Sequence, residues 1–545
     1  MSLKKALFPV LLTGFCLTSV HAQLMDGNKH FTRADTLRGT LSAERACYDV
    51  SFYHLDIKID PTDQTIEGYN DITFKTVKNF KRIQVDLFPN MKVEKITWNG
   101  KELTYKREFG AVFIEFPEVV KTPSSQTIRF YYSGKPIVAK RAPWDGGFVW
   151  TKDKAGDPWI GVACQGTGAS LWWPNKDHQS DEPDSMMISI AVPSELMNVS
   201  NGRLRSKADL NNGYTKYNWF VSNPINNYDV SVNIAKYAHF SDKYNDLDLD
   251  YYVLRENLEK AKEQFKQVKP MMSCFEKRFG PYPFYEDGYK LVETPYLGME
   301  HQSCVAYGNK YKNGYLGNDL TGSGVGTKFD FIIIHESGHE WFGNSVTSKD
   351  IADMWIHESF TNYSESIYAE CEFGHDDYLK HINGYKHSVR NDEPIIGSYG
   401  VNAEGSGDMY YKGGLMLHTI RSIVGDSVFF GALKGVALKF RHQTVTTNDI
   451  IDFFNKKTGK DLTKVFYQYL KYTHIPTLEL KKDNNVVSYR WKADVPGFDM
   501  PIKVSLNNGK WQTIVPSPSW QSLPVKAVSE IVVAEDLYYI DIKKL

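Results

Sequence analysis

Phe331-Ile332-Ile333-Ile334-His335-Glu336-Ser337-Gly338-His339 is an apolar run that ends in two histidines four residues apart. On an α-helix, positions i and i+4 share a face about one turn apart, so both imidazoles can reach a single metal ion. Glu336 between them can point into the same cavity without ligating, the arrangement of a zinc hydrolase with a general base. After eighteen intervening residues His339 is followed by Glu358, within Trp355-Ile356-His357-Glu358-Ser359-Phe360, placed to supply the third ligand. Two histidines and one glutamate leave the fourth zinc position open, which marks a catalytic rather than a structural site. The bland alternative is an exposed helix with two unrelated histidines. Against it, Phe329 and the run Phe331 to Ile334 predict a buried helix. A buried His-Glu-His cluster without a metal is expensive to desolvate. His357, next to Glu358, points off the ligand face and is not read as a ligand.

The rest of the chain bounds the setting. Its 545 residues are 42% hydrophobic and 24% charged, the composition of a globular protein of several domains. Lys plus Arg total 64 against 65 Asp plus Glu, so charge gives no reason to expect a nucleic-acid partner. Aromatic residues make up 14%, and core packing accounts for most of them. Lys4 and Lys5, the apolar stretch Ala6 to Val20 and the small-residue site Val20-His21-Ala22 read as a cleaved export signal. That apolar stretch is too short and interrupted to span a bilayer, and no other stretch qualifies as an integral membrane segment. The expected location is periplasmic or secreted. Cys47, Cys164, Cys274, Cys304 and Cys371 then remain, without C-x-x-C spacing. One or two disulfides are possible for an exported chain, the odd count leaves at least one free thiol, and the pairing stays open.

Alternating strands separated by Gly, Pro and Asn turns run from about Tyr48 to His239, as in Tyr53-His54-Leu55-Asp56-Ile57-Lys58-Ile59. Near Leu254 the period becomes helical, with Leu258, Ala261, Phe265, Val268 and Met272 on one face, and helices dominate to about Tyr472. A strand is expected near Tyr289 to Glu293, and strands return after Pro476. The expected fold class is multidomain α+β: signal peptide 1–22, β domain 23–244, mixed zinc peptidase domain 245–475, and a small β-sandwich 476–545.

His335-Glu336-x-x-His339-Glu340-Trp341-Phe342-Gly343-Asn344, the following Glu358, and the upstream Gly298-Met299-Glu300 together resemble the aminopeptidase N family of zinc metallopeptidases. That family includes leukotriene hydrolase, and its markers are H-E-x-x-H–x18–E and G-x-M-E-N. The likeness extends to Phe279-Gly280-Pro281-Tyr282-Pro283 and to Tyr410-Tyr411-Lys412-Gly413. It implies a saddle-like N-terminal β-sheet domain, a thermolysin-like catalytic domain and one Zn2+ per chain, held by His335, His339 and Glu358. It also implies that Glu300 and Gln165 bind the substrate amine, that Gly298 and Met299 border the substrate chain, and that Tyr410 steadies the tetrahedral intermediate.

Chemistry supports those roles. A carboxylate at a fixed distance from zinc gives a free α-ammonium a charge-assisted partner, whereas an internal peptide bond would leave Glu300 buried and unpaired. The backbone from Leu297 to Glu300 is expected as an edge strand that pairs with substrate main chain. A phenol such as Tyr410 can donate to an oxyanion. Tyr411 is assigned to packing. Glu365, seven residues after Glu358, is a candidate acceptor for the distal N–H of a ligand histidine, with a surface glutamate as the alternative. Four positions depart from the family pattern: Leu297 for glycine, His301 for asparagine, Glu340 for glutamine and His357 for asparagine. The first two bear on the pocket for the first substrate side chain.

The expected activity is therefore zinc-dependent removal of the N-terminal residue from peptides with a free N-terminus, with Glu336 taking the proton of the attacking water. Two rivals remain. One is epoxide opening at the same zinc site, as in the leukotriene-acting branch, which needs a large C-terminal helical domain, whereas the residues after Pro476 read as strands. The other is a non-catalytic peptide-binding module on the same scaffold, which typically lacks zinc ligands or the base; here all four positions are intact.

Overall fold

A computed structural model describes residues 31–483, 486–506, 509–524 and 531–545. The export signal expected over residues 1–22 lies outside them. The alternation read near the N-terminus folds into an eight-stranded sheet, in which Tyr48–Asp60 and Thr65–Thr76 are central neighbours. One face of Tyr48–Asp60 points inward, with Tyr53, Leu55, Ile57 and Ile59 buried, and the alternate residues are half-buried. Period-two patterning buries one face of a strand and wets the other. A three-stranded sheet (Phe80–Asp86, Thr104–Glu108, Ala111–Val120) and a four-stranded sheet (Gly147–Lys152, Pro158–Ala163, Met197–Val199, Asn233–Ala235) pack against the same core. Trp172 and Trp173 are fully buried in it, at about 1.5–3 kcal/mol or more for each such side chain.

The next sheet has five strands in the order Tyr237–Tyr244, Leu247–Leu254, Tyr289–Glu293, Val305–Tyr307, Gly298–Met299. Gly298–Met299 is its edge, antiparallel to Val305–Tyr307 on one side only. The helical face read near Leu254 begins four residues later, with helices Leu258–Gln264 and Val268–Phe279 burying Ala261, Val268, Met271 and Met272.

The motif helix is Phe331–Gly338, with His339 as its C-cap. Asp330 caps it, accepting from the amides of Ile332 (3.1 Å) and Ile333 (3.3 Å), and is itself held by Tyr307 Oη at 2.7 Å. Ile332, Ile333 and Ile334 are buried as their apolar run predicts. Against it lies the long helix Trp355–Phe373, and across that lies Tyr411–Val424. A Cβ on Gly413 would fall 1.8 Å from Ser359 Oγ, and one on Gly414 2.4 Å from Asn362 Oδ1, so only glycine permits this helix approach.

A disulfide joins Cys274 to Cys371 and so ties Val268–Phe279 to the end of Trp355–Phe373; Cys47, Cys164 and Cys304 are free and buried. After Pro476 the described residues form a four-stranded and a three-stranded sheet, with Leu478, Trp491, Ile502 and Val504 buried between them and the helical region. Among the described residues, no helix is long and apolar enough to cross a membrane.

Candidate active site

One helical turn sets His335 and His339 side by side, with their Nε2 atoms 3.3 Å apart. Both nitrogens face Glu358 from the neighbouring helix: its Oε2 is 3.7 Å from His335 Nε2 and 3.4 Å from His339 Nε2. The distal nitrogens are already engaged. His335 Nδ1 donates to Glu365 Oε1 at 2.7 Å, and His339 Nδ1 lies 3.0 Å from the Phe342 carbonyl oxygen and 3.2 Å from Thr361 Oγ1. Glu365 is fully buried and also accepts from Tyr385 Oη, so it is not a surface glutamate.

These contacts leave three lone pairs converging on one point. The ligand atoms of His335, His339 and Glu358 all lie within 4.8 Å of one another, and Glu358 Oε2 is buried with no hydrogen-bond donor. Burial raises the Glu358 acid, but His339 and His335 outweigh it and hold the carboxyl well below its ordinary range. A buried carboxylate oxygen facing two imidazole nitrogens needs a cation, and a zinc ion fits that donor set.

Glu336 lies beside the triad, also buried. Burial pushes its carboxyl up to about 7, against the pull of His335 and with a further push from Glu300. Gly298 gives it room: a Cβ at that position would sit 2.6 Å from Glu336 Oε1 and 2.9 Å from Ile332 Cγ2. Met299 is buried with Ala163, Tyr296 and Ala306.

Glu300 closes the cleft. Carboxylate oxygens of Glu300 and Glu336 and a nitrogen of His339 lie within 4.8 Å of one another. Glu300 Oε1 accepts from Gln165 Nε2 and from Tyr228 Oη at 3.0 Å, and the Glu300 carbonyl accepts from Asn344 Nδ2 at 2.7 Å. Gln165 also donates to Glu358 Oε1 at 3.3 Å, so one amide spans both acids. Sequence spacing does not single out Tyr228. The polar run Asn226-Asn227-Tyr228-Asp229, which the fold buries entirely, is the one signal that could have marked it.

Tyr410 precedes the helix Tyr411–Val424, and Ser359 Oγ donates to the Met409 carbonyl at 2.6 Å to hold the turn. The Tyr410 ring stacks 6.2 Å from His335 at 26°. Burial, then Glu358, Glu404 and Glu300, raise its phenol well above the ordinary value, so it keeps its proton. Tyr411 stacks 4.6 Å from Tyr385, which is packing. His357 Nε2 accepts from the Ser348 amide at 2.8 Å, away from the triad. His301 is fully buried with neither ring nitrogen bonded, and burial lowers it to about 3, leaving it neutral.

The chain is 23% identical over 431 residues to leukotriene A-4 hydrolase of Xenopus laevis, covering 74% of this chain and 67% of that protein. It is 20% identical over 459 residues to tricorn protease-interacting factor F2 of Thermoplasma acidophilum, covering 79% and 54%. With mitochondrial aminopeptidase 2 of Saccharomyces cerevisiae it shares 24% over 327 residues, 56% of this chain and 33% of that one. The chain thus spans between a third and two thirds of the length of these relatives. The crystal structure of a variant of the M1 zinc metallopeptidase of Deinococcus radiodurans superposes with a TM-score of 0.67 at 19% identity, covering 79% of this chain and 96% of that one. Residues 263–469 match the peptidase family M1 domain, and they hold His335, Glu336, His339, Glu358, Glu300 and Tyr410. The chain carries a peptidase family M1 domain.

Proposed function

We propose that this protein is a zinc aminopeptidase that hydrolyses the first peptide bond of chains with a free N-terminus. The observation that carries the reading is the Glu300 carboxylate, buried and held by Gln165 and Tyr228 within 4.8 Å of the metal-ligand His339. A second anionic group beside a metal site matches an ammonium on the residue that carries the scissile carbonyl, and an internal peptide segment offers no such cation.

His335, His339 and Glu358 would hold the zinc ion. When bound, zinc polarises the scissile carbonyl and acidifies water at the open position. Glu336 accepts the proton as the water oxygen bonds to the carbonyl carbon, then returns it to the nitrogen as the C–N bond breaks. Tyr410 Oη donates to the developing oxyanion, and Glu300 with Gln165 fixes the α-ammonium and therefore the register of cleavage. The unpaired edge of Gly298–Met299 offers main-chain groups to the substrate backbone.

We also propose that the chain is exported. The leader-like residues 1–22 support this, and so does the Cys274–Cys371 disulfide, a bond that persists in oxidising compartments. Hydrolysis of amino-acyl arylamides with N-acetylated controls, with and without a chelator, tests the activity. Cleavage of the acetylated substrates at equal rates would sink the exopeptidase assignment.

A further inference from the structure

Where the chain enters the edge strand Gly298–Met299, the structure holds a cavity of about 260 Å³ that the zinc chemistry does not use. Its walls are Trp159, Pro295, Tyr296, Leu297 and Leu316, with exposed Lys310 at the rim. The other polar groups around it are already engaged. Trp159 Nε1 donates to the Glu293 carbonyl at 3.3 Å, Tyr296 Oη to the Val162 carbonyl at 2.8 Å and Thr294 Oγ1 to the Tyr296 carbonyl at 3.1 Å. The Glu293 carboxylate accepts from the Leu254 amide and from Asn257 Nδ2, each at 2.7 Å. The surface left for a ligand is therefore apolar and aromatic, apart from the Lys310 ammonium.

Two segments join this cavity to the zinc site. Leu297 directly precedes Gly298, where a Cβ would sit 2.6 Å from Glu336 Oε1. Leu316 directly follows Tyr315, whose ring packs 5.5 Å from Phe331, and Phe331 stacks 5.1 Å from the zinc ligand His335. The loop that carries Leu316 is tied to the cap of the motif helix. Asn309 Nδ2 donates to the Gly314 carbonyl at 2.8 Å and to Asp330 Oδ1 at 2.7 Å, and Asn309 Oδ1 accepts from the Leu316 amide at 2.7 Å.

The same geometry gives the direction of a bound peptide. On the aminopeptidase reading its ammonium sits at Glu300, and its leaving nitrogen sits by Glu336, beside Gly298. From amine to leaving nitrogen the peptide thus runs against the edge strand, from Glu300 toward Leu297. The strand Pro158–Ala163 marks the same two ends: Gln165, just past it, meets Glu300, whereas Trp159 near its start meets Glu293. The residue that carries the leaving nitrogen, the second of the substrate, comes next and faces the cavity. An apolar cavity of about 150 Å³ already admits benzene, so this one has room for a phenyl or butyl side chain.

We propose that this cavity binds the side chain of the second substrate residue and selects large apolar or aromatic ones. The inference rests on the aminopeptidase reading and names the leaving side of its substrate. The experiment measures initial rates of alanine release from alanyl-phenylalaninamide, alanyl-norleucinamide, alanyl-lysinamide and alanyl-alaninamide. It uses the wild-type enzyme, Trp159→Ala and Leu316→Asn, with zinc content as the check that each variant is folded. Asparagine suits the left-handed backbone at Leu316 (φ 53°), so the second variant changes the wall of the cavity and not the course of the loop. In wild type, phenylalanine and norleucine are expected to exceed alanine at the second position by about tenfold or more in kcat/KM. Lysine has the stem of norleucine but brings a charge toward Lys310, and is expected to fall below it. Both variants are expected to narrow the ratio of phenylalanine to alanine. Equal rates for phenylalanine and alanine in wild type, lysine at or above norleucine, or a ratio that neither variant moves overturns this inference alone. Absence of turnover with all four peptides and with amino-acyl arylamides overturns the peptidase reading and this inference with it.

Discussion

His335 Nδ1 and Glu365 Oε1 are joined by a 2.7 Å hydrogen bond that runs between the motif helix and the helix bearing Glu358. The bond fixes the ring so that Nε2 faces the metal point, and the carboxylate makes that nitrogen a stronger donor to a cation. Glu365→Ala is therefore expected to weaken zinc binding about 10–100-fold. Competition against a zinc-buffering chelator measures this directly. An unchanged affinity would remove Glu365 from the site.

Glu336→Gln keeps the shape of the side chain and loses its ability to carry a proton. The variant is expected to retain its zinc and to lose about 10²–10⁴-fold in turnover of amino-acyl arylamides. Metal analysis alongside the rate assay separates the two effects. Wild-type turnover by a correctly folded variant would refute the mechanism.

Gly298→Ala places a methyl group where Glu336 Oε1 now stands, since the new Cβ would lie 2.6 Å from it. The side chain of Glu336 has to swing away while the backbone stays in the sheet. The expected result is a fall in kcat of about tenfold or more, as a misplacement of about 1 Å can cost a hundredfold. Zinc content and melting temperature should stay near wild type, which distinguishes this variant from a folding defect.

Glu300→Ala removes the ammonium partner but leaves His335, His339 and Glu358 in place. Cleavage of substrates with free N-termini should drop sharply while N-acetylated substrates change little, narrowing the ratio between them. Chelation should abolish both activities, and added zinc should restore them. An unaltered ratio would mean that Glu300 does not choose the chain end.

The Cys274–Cys371 disulfide spans a sequence separation of 97 residues. Replacing both cysteines with serine frees a long loop in the unfolded chain, and about 2–4 kcal/mol of stability is expected to go with it. Urea unfolding with and without reductant gives the comparison. A wild-type protein insensitive to reductant, matching the double variant throughout, would argue that the bond does not form.

The metal triad was largely legible from residue spacing because its geometry is local. The helical repeat puts His335 and His339 on one face, and Glu365 two turns from Glu358 along the same side of one helix. The apolar run before His335 likewise announced its burial, and the strand alternation announced the β-rich start and end of the chain. The change of period near Leu254 was legible too, since the strand Leu247–Leu254 gives way to the helix Leu258–Gln264.

The substrate end of the cleft is different in kind. Gln165 meets Glu300 across 135 positions, and Tyr228 meets it across 72. The segment before Tyr410 is stitched to Asp35 and Gly166 through Asn402 and to Ala352 through Gly397. No periodicity relates these positions, because they come together only when the N-terminal sheets dock on the helical region. Short-range backbone geometry was enough to specify where a metal would sit. Which chain end and which side chain the cleft would accept depends on long-range packing, since it brings groups from separate segments into one buried space.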